Sequence, residues 1–174
     1  MQDSDNRTVS GVTADTLRSQ LEYTAWADRR LLDAAARLSP EELARDFNTA
    51  DHSVAGTLAH IFASSRAWLA RVQGEPFPGH VPEADRNLAF LEREWPQLHG
   101  RWRSWANGLT DESAAAVISY HDFKGSAWEN PVWEILLHLV NHGTHHRGQV
   151  SGFLRSMGHT PPPLDLIAYY RSLL

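Results

Sequence analysis

Cysteine is absent from this chain of 174 residues, which excludes disulfides, thiolate metal ligands and a cysteine nucleophile. No apolar run approaches the roughly 18 residues of a membrane-spanning helix, and residues 1–15 lack the basic flank and apolar segment of a secretory signal. Positive charge is outnumbered, because 16 Lys and Arg residues face 21 Asp and Glu residues. The net charge of −5 argues against nucleic-acid binding through phosphate neutralisation. Together these absences predict a cytoplasmic protein.

The sequence does contain the hydrophobic periodicity of a helical bundle. Its length suits one domain, and we predict a disordered lead-in over residues 1–12 followed by a single domain over residues 13–174. Apolar residues recur at helical spacing in four long segments, which alternate with Pro- and Gly-containing connections. The four predicted helices cover residues 13–38, 53–74, 82–108 and 130–157.

Shorter elements are predicted between and after these helices. Residues 40–43 form a helical turn, residues 117–120 pair with the segment after Gly125 in a small hairpin, and residues 164–173 form a terminal helix. Asn130 is the predicted N-cap of the fourth helix, with Pro131 at its first position. We therefore predict an all-α four-helix bundle with a short C-terminal helix and a small hairpin before the fourth helix.

Metal-binding chemistry is concentrated in the fourth predicted helix. His142 and His146 differ by only about 40° in direction and lie one turn apart, so both imidazoles can reach one metal ion without bending the helix. His60 lies at the border of the inner face of the second predicted helix and is the candidate third ligand. Three imidazoles from two helices would leave open positions on the metal, as in reactive metal sites.

The same spacing has a more ordinary interpretation, because a His-x-x-x-His pair also occurs on helix surfaces without any metal. His145 is predicted to face solvent, and the role of His138, one turn before His142, stays open. Histidine nitrogen does not by itself choose between zinc, nickel, copper and iron. The isolated histidines predicted to be surface or loop residues are His52, His80, His99, His121 and His159.

Two charged residues fall on predicted apolar faces. Asp28 lies on the stripe of the first helix, and Arg147 lies on the apolar side of the fourth. Because an unpaired buried charge costs several kcal/mol, we expect these two residues to form a buried ion pair between the helices. The favoured interpretation is a structural pair that fixes helix register. The alternative is a supporting role for the ligand-bearing helix or for substrate orientation.

Four segments of the chain resemble the DinB family, a group of DinB/YfiT-like proteins regarded as metalloenzymes. The resemblance extends from about residue 15 through the rest of the chain. Its most specific part is the string His-Gly-Thr-His-His-Arg-Gly-Gln together with a histidine about eighty residues earlier. The segments that carry the resemblance are residues 23–32, 58–61, 141–149 and 162–169.

The resemblance implies a four-helix bundle, often homodimeric, that holds a divalent metal ion through three histidines. Residue by residue, those ligands fall on His60, His142 and His146. Zinc and nickel are the favoured metals, with iron and manganese as further candidates. Asp28 stands where many relatives have asparagine, which would alter the surroundings of the ligands.

Characterised members of the family include thiol-dependent S-transferases and isomerases, so the resemblance implies a metal-dependent transferase or hydrolase acting on a small molecule. With no cysteine in the chain, a low-molecular-weight thiol would arrive as a cosubstrate. No carboxylate stands out as a general base, although Glu134 and Gln149 lie near the histidine side of the fourth helix. Two alternatives stay open: a non-catalytic dimeric metal- or ligand-binding stress protein, and a structural bundle whose histidines are incidental.

Overall fold

The four predicted long helices are present in the computed structural model, which describes residues 12–174, and the predicted four-helix bundle is confirmed. The long helices are α1 (Ala14–Ala35), α3 (Val54–Gln73), α4 (Leu88–Ala106) and α6 (Val132–Ser156). The shorter elements are α2 (Pro40–Ala44), a 3-10 turn (Glu83–Asp85), α5 (Asp111–Ala115), β1 (Val117–His121), β2 (Ala127–Pro131) and α7 (Leu166–Arg171). Apart from Val12, the predicted lead-in lies outside the described residues.

Local capping signals fix the ends of α3. The Ser53 side chain accepts a hydrogen bond from the Gly56 backbone N–H at 3.1 Å and so caps the first turn. Gly74 ends the helix at a φ of 67°, in the left-handed region that glycine adopts without steric cost. Both signals were read correctly from the sequence, because each acts within one turn of the chain.

Three predicted helices have ends that are wrong in detail. Helix α1 ends at Ala35 because the following residues tighten into a turn, with the Arg37 N–H bonded to the Ala34 carbonyl at 3.2 Å. Helix α4 begins only at Leu88, capped by the Asn87 side chain, and the predicted start near residue 82 is instead the 3-10 turn. Helix α7 begins at Leu166 and ends at Arg171.

Asn130 is not the N-cap of α6, contrary to the sequence prediction; Pro131 occupies that position. Asn130 is held in β2, where it pairs with Ile118 of β1. Its side-chain nitrogen donates to Glu134 Oε2 at 2.7 Å, and its oxygen accepts a hydrogen bond from the Tyr120 hydroxyl at 2.8 Å. The hairpin itself was predicted. Because Asn130 pairs within this hairpin, it does not serve as the N-cap of the helix.

The core joins the inner faces of the four long helices, and α3 packs lengthwise against α6. This packing places the middle of α3 opposite the histidine-bearing stretch of α6. At the C-terminal end of α3, Trp68 packs edge-on against Tyr120 of the hairpin, with ring centroids 5.2 Å apart. The hairpin therefore closes one side of the groove between α3 and α6. Among the described residues, no helix has the length and apolar character needed to cross a membrane.

Candidate metal centre

The three histidines singled out from the sequence meet in the groove between α3 and α6. His60 Nε2 lies 3.2 Å from His142 Nε2, and His146 Nε2 also lies 3.2 Å from His142 Nε2. One ring nitrogen from each residue falls within 4.8 Å of the other two. All three side chains are partly buried. The helix packing thus converts a spacing of one turn on α6 into a compact group of three nitrogen atoms.

The geometry of this group fits a single metal ion. Nitrogen ligands at roughly 2.0–2.1 Å from a tetrahedral ion lie about 3.3 Å from one another, close to the spacing found here. Two unprotonated imidazole nitrogens facing each other at 3.2 Å repel unless a cation or a proton lies between them. The donor set of three imidazoles suits zinc, nickel, copper or iron. The three-histidine group could therefore hold a divalent metal ion.

The outer ring nitrogens of His60 and His146 face side-chain oxygens. His146 Nδ1 lies 2.7 Å from Gln149 Oε1, and His60 Nδ1 lies 3.4 Å from Asp51 Oδ1. The second Asp51 oxygen lies 3.8 Å from His146 Nδ1. Because amide and carboxylate oxygens only accept, they favour a proton on Nδ1 and leave Nε2 with a lone pair directed at the centre.

Burial favours the neutral forms of His142 and His146. Burial first, and then the neighbouring histidines with His146 foremost, together lower the pKa of His142 to about 4. Burial also lowers the pKa of His146, although the hydrogen bond with Gln149 acts in the opposite direction. A neutral imidazole is the form that binds a metal. At neutral pH no proton therefore has to leave His142 before it can serve as a ligand.

The other two histidines of α6 lie outside this group. His145 is exposed, as its position on the helix predicted. The ring of His138 lies 5.7 Å from that of His142 and packs edge-on against Trp68 at 5.3 Å. His138 thus continues the row of rings towards the hairpin without joining the three ligand atoms.

Asp51 belongs to the candidate site but was not predicted from the sequence. It lies in the connection before α3, where no periodicity marks which way a side chain points. A weak signal was available in Gly56, because a Cβ at that position would lie only 2.1 Å from the Asp51 carbonyl oxygen. A glycine inside the first turn of a helix can indicate such a close backbone approach.

Behind the histidines, Asp28 and Arg147 form the expected ion pair between α1 and α6. Arg147 Nη1 donates to Asp28 Oδ1 at 2.9 Å, and both side chains are almost completely buried. Arg147 Nη2 donates to the Thr144 hydroxyl at 3.0 Å, one turn back along α6. The ligand-bearing helix is thereby tied to α1 directly beside His146.

His99 completes this buried group, and its predicted role as an ordinary surface or loop histidine is wrong. Its Nε2 atom lies 3.1 Å from Asp28 Oδ2, and its side chain is only 14% exposed. The signal in the sequence was its position four residues after Trp95, which places it beside the apolar stripe of α4. One carboxylate therefore accepts hydrogen bonds from two helices at once.

Gly143→Ala is expected to destabilise the protein, although alanine favours a helix by about 1 kcal/mol over glycine. An added Cβ would lie 2.7 Å from Arg147 Nη1 and force the guanidinium away from Asp28. Gly148→Ala is the matched control, because it lies in the same helix and a Cβ there meets nothing within 4 Å. Urea unfolding should show Gly143→Ala losing stability and Gly148→Ala retaining or gaining it. Equal stabilisation of both variants would mean that Arg147 is free to move.

The sequence matches the model of one known family over nearly its whole length. The sequence model of the DinB family matches residues 4–172. The protein DinB of Bacillus subtilis (strain 168) is 22% identical over 156 residues, which cover 85% of this chain and 90% of that protein.

Two solved structures share the fold. A DinB-like protein from Bacillus cereus ATCC 10987 is 22% identical, with a TM-score of 0.63 over 87% of this chain and 97% of that one. YfiT from Bacillus subtilis is 16% identical, with a TM-score of 0.66 over 91% and 95% of the two chains. YfiT is described as a probable metal-dependent hydrolase with an unusual four-helix bundle topology.

Proposed function

This chain belongs to the DinB family, and on that premise we propose that it is a metal-dependent enzyme acting on a small molecule. His60, His142 and His146 are its metal ligands, and zinc or nickel is the preferred ion ahead of iron or manganese. The observation that carries the proposal is the convergence of three imidazole nitrogens, with the inner pairs 3.2 Å apart. The description of YfiT as a probable metal-dependent hydrolase supports the same class of activity.

The reaction we propose is thiol-dependent S-transfer or hydrolysis. A divalent ion with open positions supplies Lewis acidity and brings the pKa of a bound thiol or water near neutrality. Asp51 and Gln149 hold the rings of His60 and His146 in the orientation that the ligands need. Because the chain has no cysteine, any thiol nucleophile comes with a cosubstrate. A cavity beside His60 and His142 offers the space for one.

An assay of two model reactions tests this function. The protein, reconstituted with zinc or nickel, is given an aryl halide with a small thiol and, separately, an aryl ester without thiol. Turnover that needs the metal is expected in one of the two, and the reaction that proceeds separates a transferase from a hydrolase. His145→Ala serves as the control, since that exposed side chain lies outside the ligand group. Inactivity with every metal and both substrates would contradict the enzymatic proposal.

The alternative is a non-catalytic, dimeric metal- or ligand-binding stress protein. One observation favours it: the Asp51 carboxylate faces the outer nitrogens of His60 and His146 and is engaged there rather than free to act as a base. Stable metal binding without turnover, and without inhibitor binding at the metal, would select this alternative.

We also propose a homodimer, for which the exposed apolar side chains Ile167 and Leu173 near the C-terminus offer a contact surface. Light scattering of an Ile167→Asp variant tests that contact.

Gln149→Leu is expected to weaken metal binding by about tenfold to a hundredfold, because the loss of an acceptor that orients a ligand typically costs this much. Leucine matches the size of glutamine but cannot accept the hydrogen bond from His146 Nδ1, which is 2.7 Å long here. Competition with a chromophoric chelator measures the zinc affinity. His145→Ala should leave it unchanged. If Gln149→Leu binds zinc as tightly as the wild type, Gln149 does not orient His146.

A further inference from the structure

A cavity of about 390 Å³ leads away from the three histidines along α3. His60 and His142 line one part of it, and Arg71, Phe77 and Phe123 line another. His60 and Arg71 are eleven residues apart on α3, which corresponds to about 16 Å along the helix axis. The volume lies in the range of small-molecule sites, roughly 300–1,000 Å³. The cavity therefore joins the candidate metal centre to a second region of distinct chemistry.

That second region is an arginine surrounded by aromatic rings. The Arg71 guanidinium carbon lies 4.3 Å from the centroid of the Trp68 ring and 5.0 Å from that of Phe123. One of its five N–H groups donates to the His121 carbonyl at 3.2 Å. The edge-on contact between Phe77 and Phe123, with ring centroids 5.3 Å apart, joins the two loops beside it.

The charge of Arg71 is poorly compensated by the protein. Within residues 12–174, the arginines that form ion pairs do not include Arg71, and burial lowers the pKa of Arg71. Asp122 attracts it from farther away, but the Asp122 carboxylate already accepts hydrogen bonds from the Trp128 ring and from the Lys124 backbone. Arg86, the other arginine of the cavity, pairs with Glu83 at 3.0 Å. Arg71 thus presents free donors to the cavity.

We propose that this cavity binds a small organic anion whose carboxylate or phosphate group pairs with Arg71. A guanidinium offers paired N–H donors that match either group. The rings of Trp68 and Phe123 provide an apolar wall for the body of the molecule, and the far end of the molecule reaches His60 and His142. The inference rests on the proposed function and adds the substrate class: anionic, with its charge at the end remote from the metal.

Arg71 also has an ordinary structural role to compete with this proposal. It lies in the last turn of α3, where a positive charge favours the helix dipole, and it stacks on the hairpin. A structural arginine of this kind would affect folding but would not discriminate between an anionic ligand and its neutral analogue. The test therefore measures a preference between two matched ligands rather than activity.

Two pairs of probes are titrated by calorimetry into metal-free and zinc-loaded protein. The first pair is a linear alkyl hydroxamate with a terminal carboxylate and its terminal carboxamide, in which the hydroxamate anchors on a metal. The second pair is phenylbutyrate and phenylbutyramide, which need no metal. In at least one pair the wild type should bind the carboxylate about tenfold more tightly than the carboxamide. Arg71→Met should abolish that preference, whereas Arg155→Met, at an exposed arginine outside the cavity, should retain it.

The outcomes separate this proposal from the proposed function. If zinc does not bind but phenylbutyrate shows a preference that depends on Arg71, the anion site stands and the metal centre fails. If both probe pairs bind without preference, do not bind, or keep their preference in Arg71→Met, the anion site is refuted even where zinc is retained. Circular dichroism checks the folding of each variant. If Arg71→Met does not fold, Arg71→Lys replaces it in the test. This variant keeps the charge but loses the paired donors, so its preference for the carboxylate should be reduced.

Discussion

Replacing His60, His142 or His146 by alanine is expected to remove the metal from a protein that otherwise carries about one divalent ion per chain. Each histidine supplies one of only three protein ligands in the proposed centre, and two imidazoles hold a first-row ion far more weakly than three. Elemental mass spectrometry after reconstitution with zinc, nickel, iron or manganese measures the content directly. Because a ligand that binds only the folded state raises its stability, the metal should also raise the melting temperature of the wild type and not of the variants.

His145→Ala and His138→Ala are the matched controls on the same helix. His145 is exposed, and His138 packs against Trp68 outside the group of three, so both variants should keep the full metal content. A wild-type protein that stays metal-free with all four ions would refute the metal centre. Retention of metal by the His60→Ala variant alone would instead assign the third position to another group.

The parts of the fold that the sequence predicts correctly depend on signals that act within a turn or two. Ser53 and Gly74 set the ends of α3, and the one-turn spacing of His142 and His146 is kept in the structure because α6 is one continuous helix over both residues. To predict that His60 converges with these two residues, it was also necessary to know which faces of α3 and α6 meet. The hydrophobic stripes predict which faces meet, since His60 lies at the border of the inner face of α3 and His142 and His146 lie on the apolar side of α6.

The errors arise where a residue is placed by tertiary contacts. Asp51 reaches the histidines only because its connection folds back over the start of α3, and Gly56 is the one weak local signal of that path. His99 is held at Asp28, seventy-one residues away in the chain, with 3.1 Å between its Nε2 atom and the carboxylate. Asn130 is a residue type that is favoured at helix N-caps, but here it pairs with Ile118 in the hairpin. In each case a contact distant in sequence overrides a local preference.

Asp28→Ala is expected to cost about 3–5 kcal/mol of unfolding free energy, because it leaves the buried Arg147 charge without its partner. Asp28 and Arg147 are each about 1% exposed, so water cannot replace the lost hydrogen bonds. His99 loses its acceptor in the same step. Asp28→Asn should cost less, since the amide oxygen can still accept from Arg147 at the observed 2.9 Å. Urea unfolding of the metal-free protein measures the losses without interference from metal binding.

A double-mutant cycle with Arg147→Met separates pairing from the individual substitutions. Methionine fills much of the arginine volume without a charge, so the Asp28→Ala, Arg147→Met double variant should lose much less stability than the sum of the two single variants. Additive losses would mean that the two side chains do not stabilise each other. The zinc affinity of Asp28→Asn then decides between the two roles of the pair. An unchanged affinity assigns it to helix register, whereas a weakened affinity shows that α1 helps to hold His146 in position through Arg147.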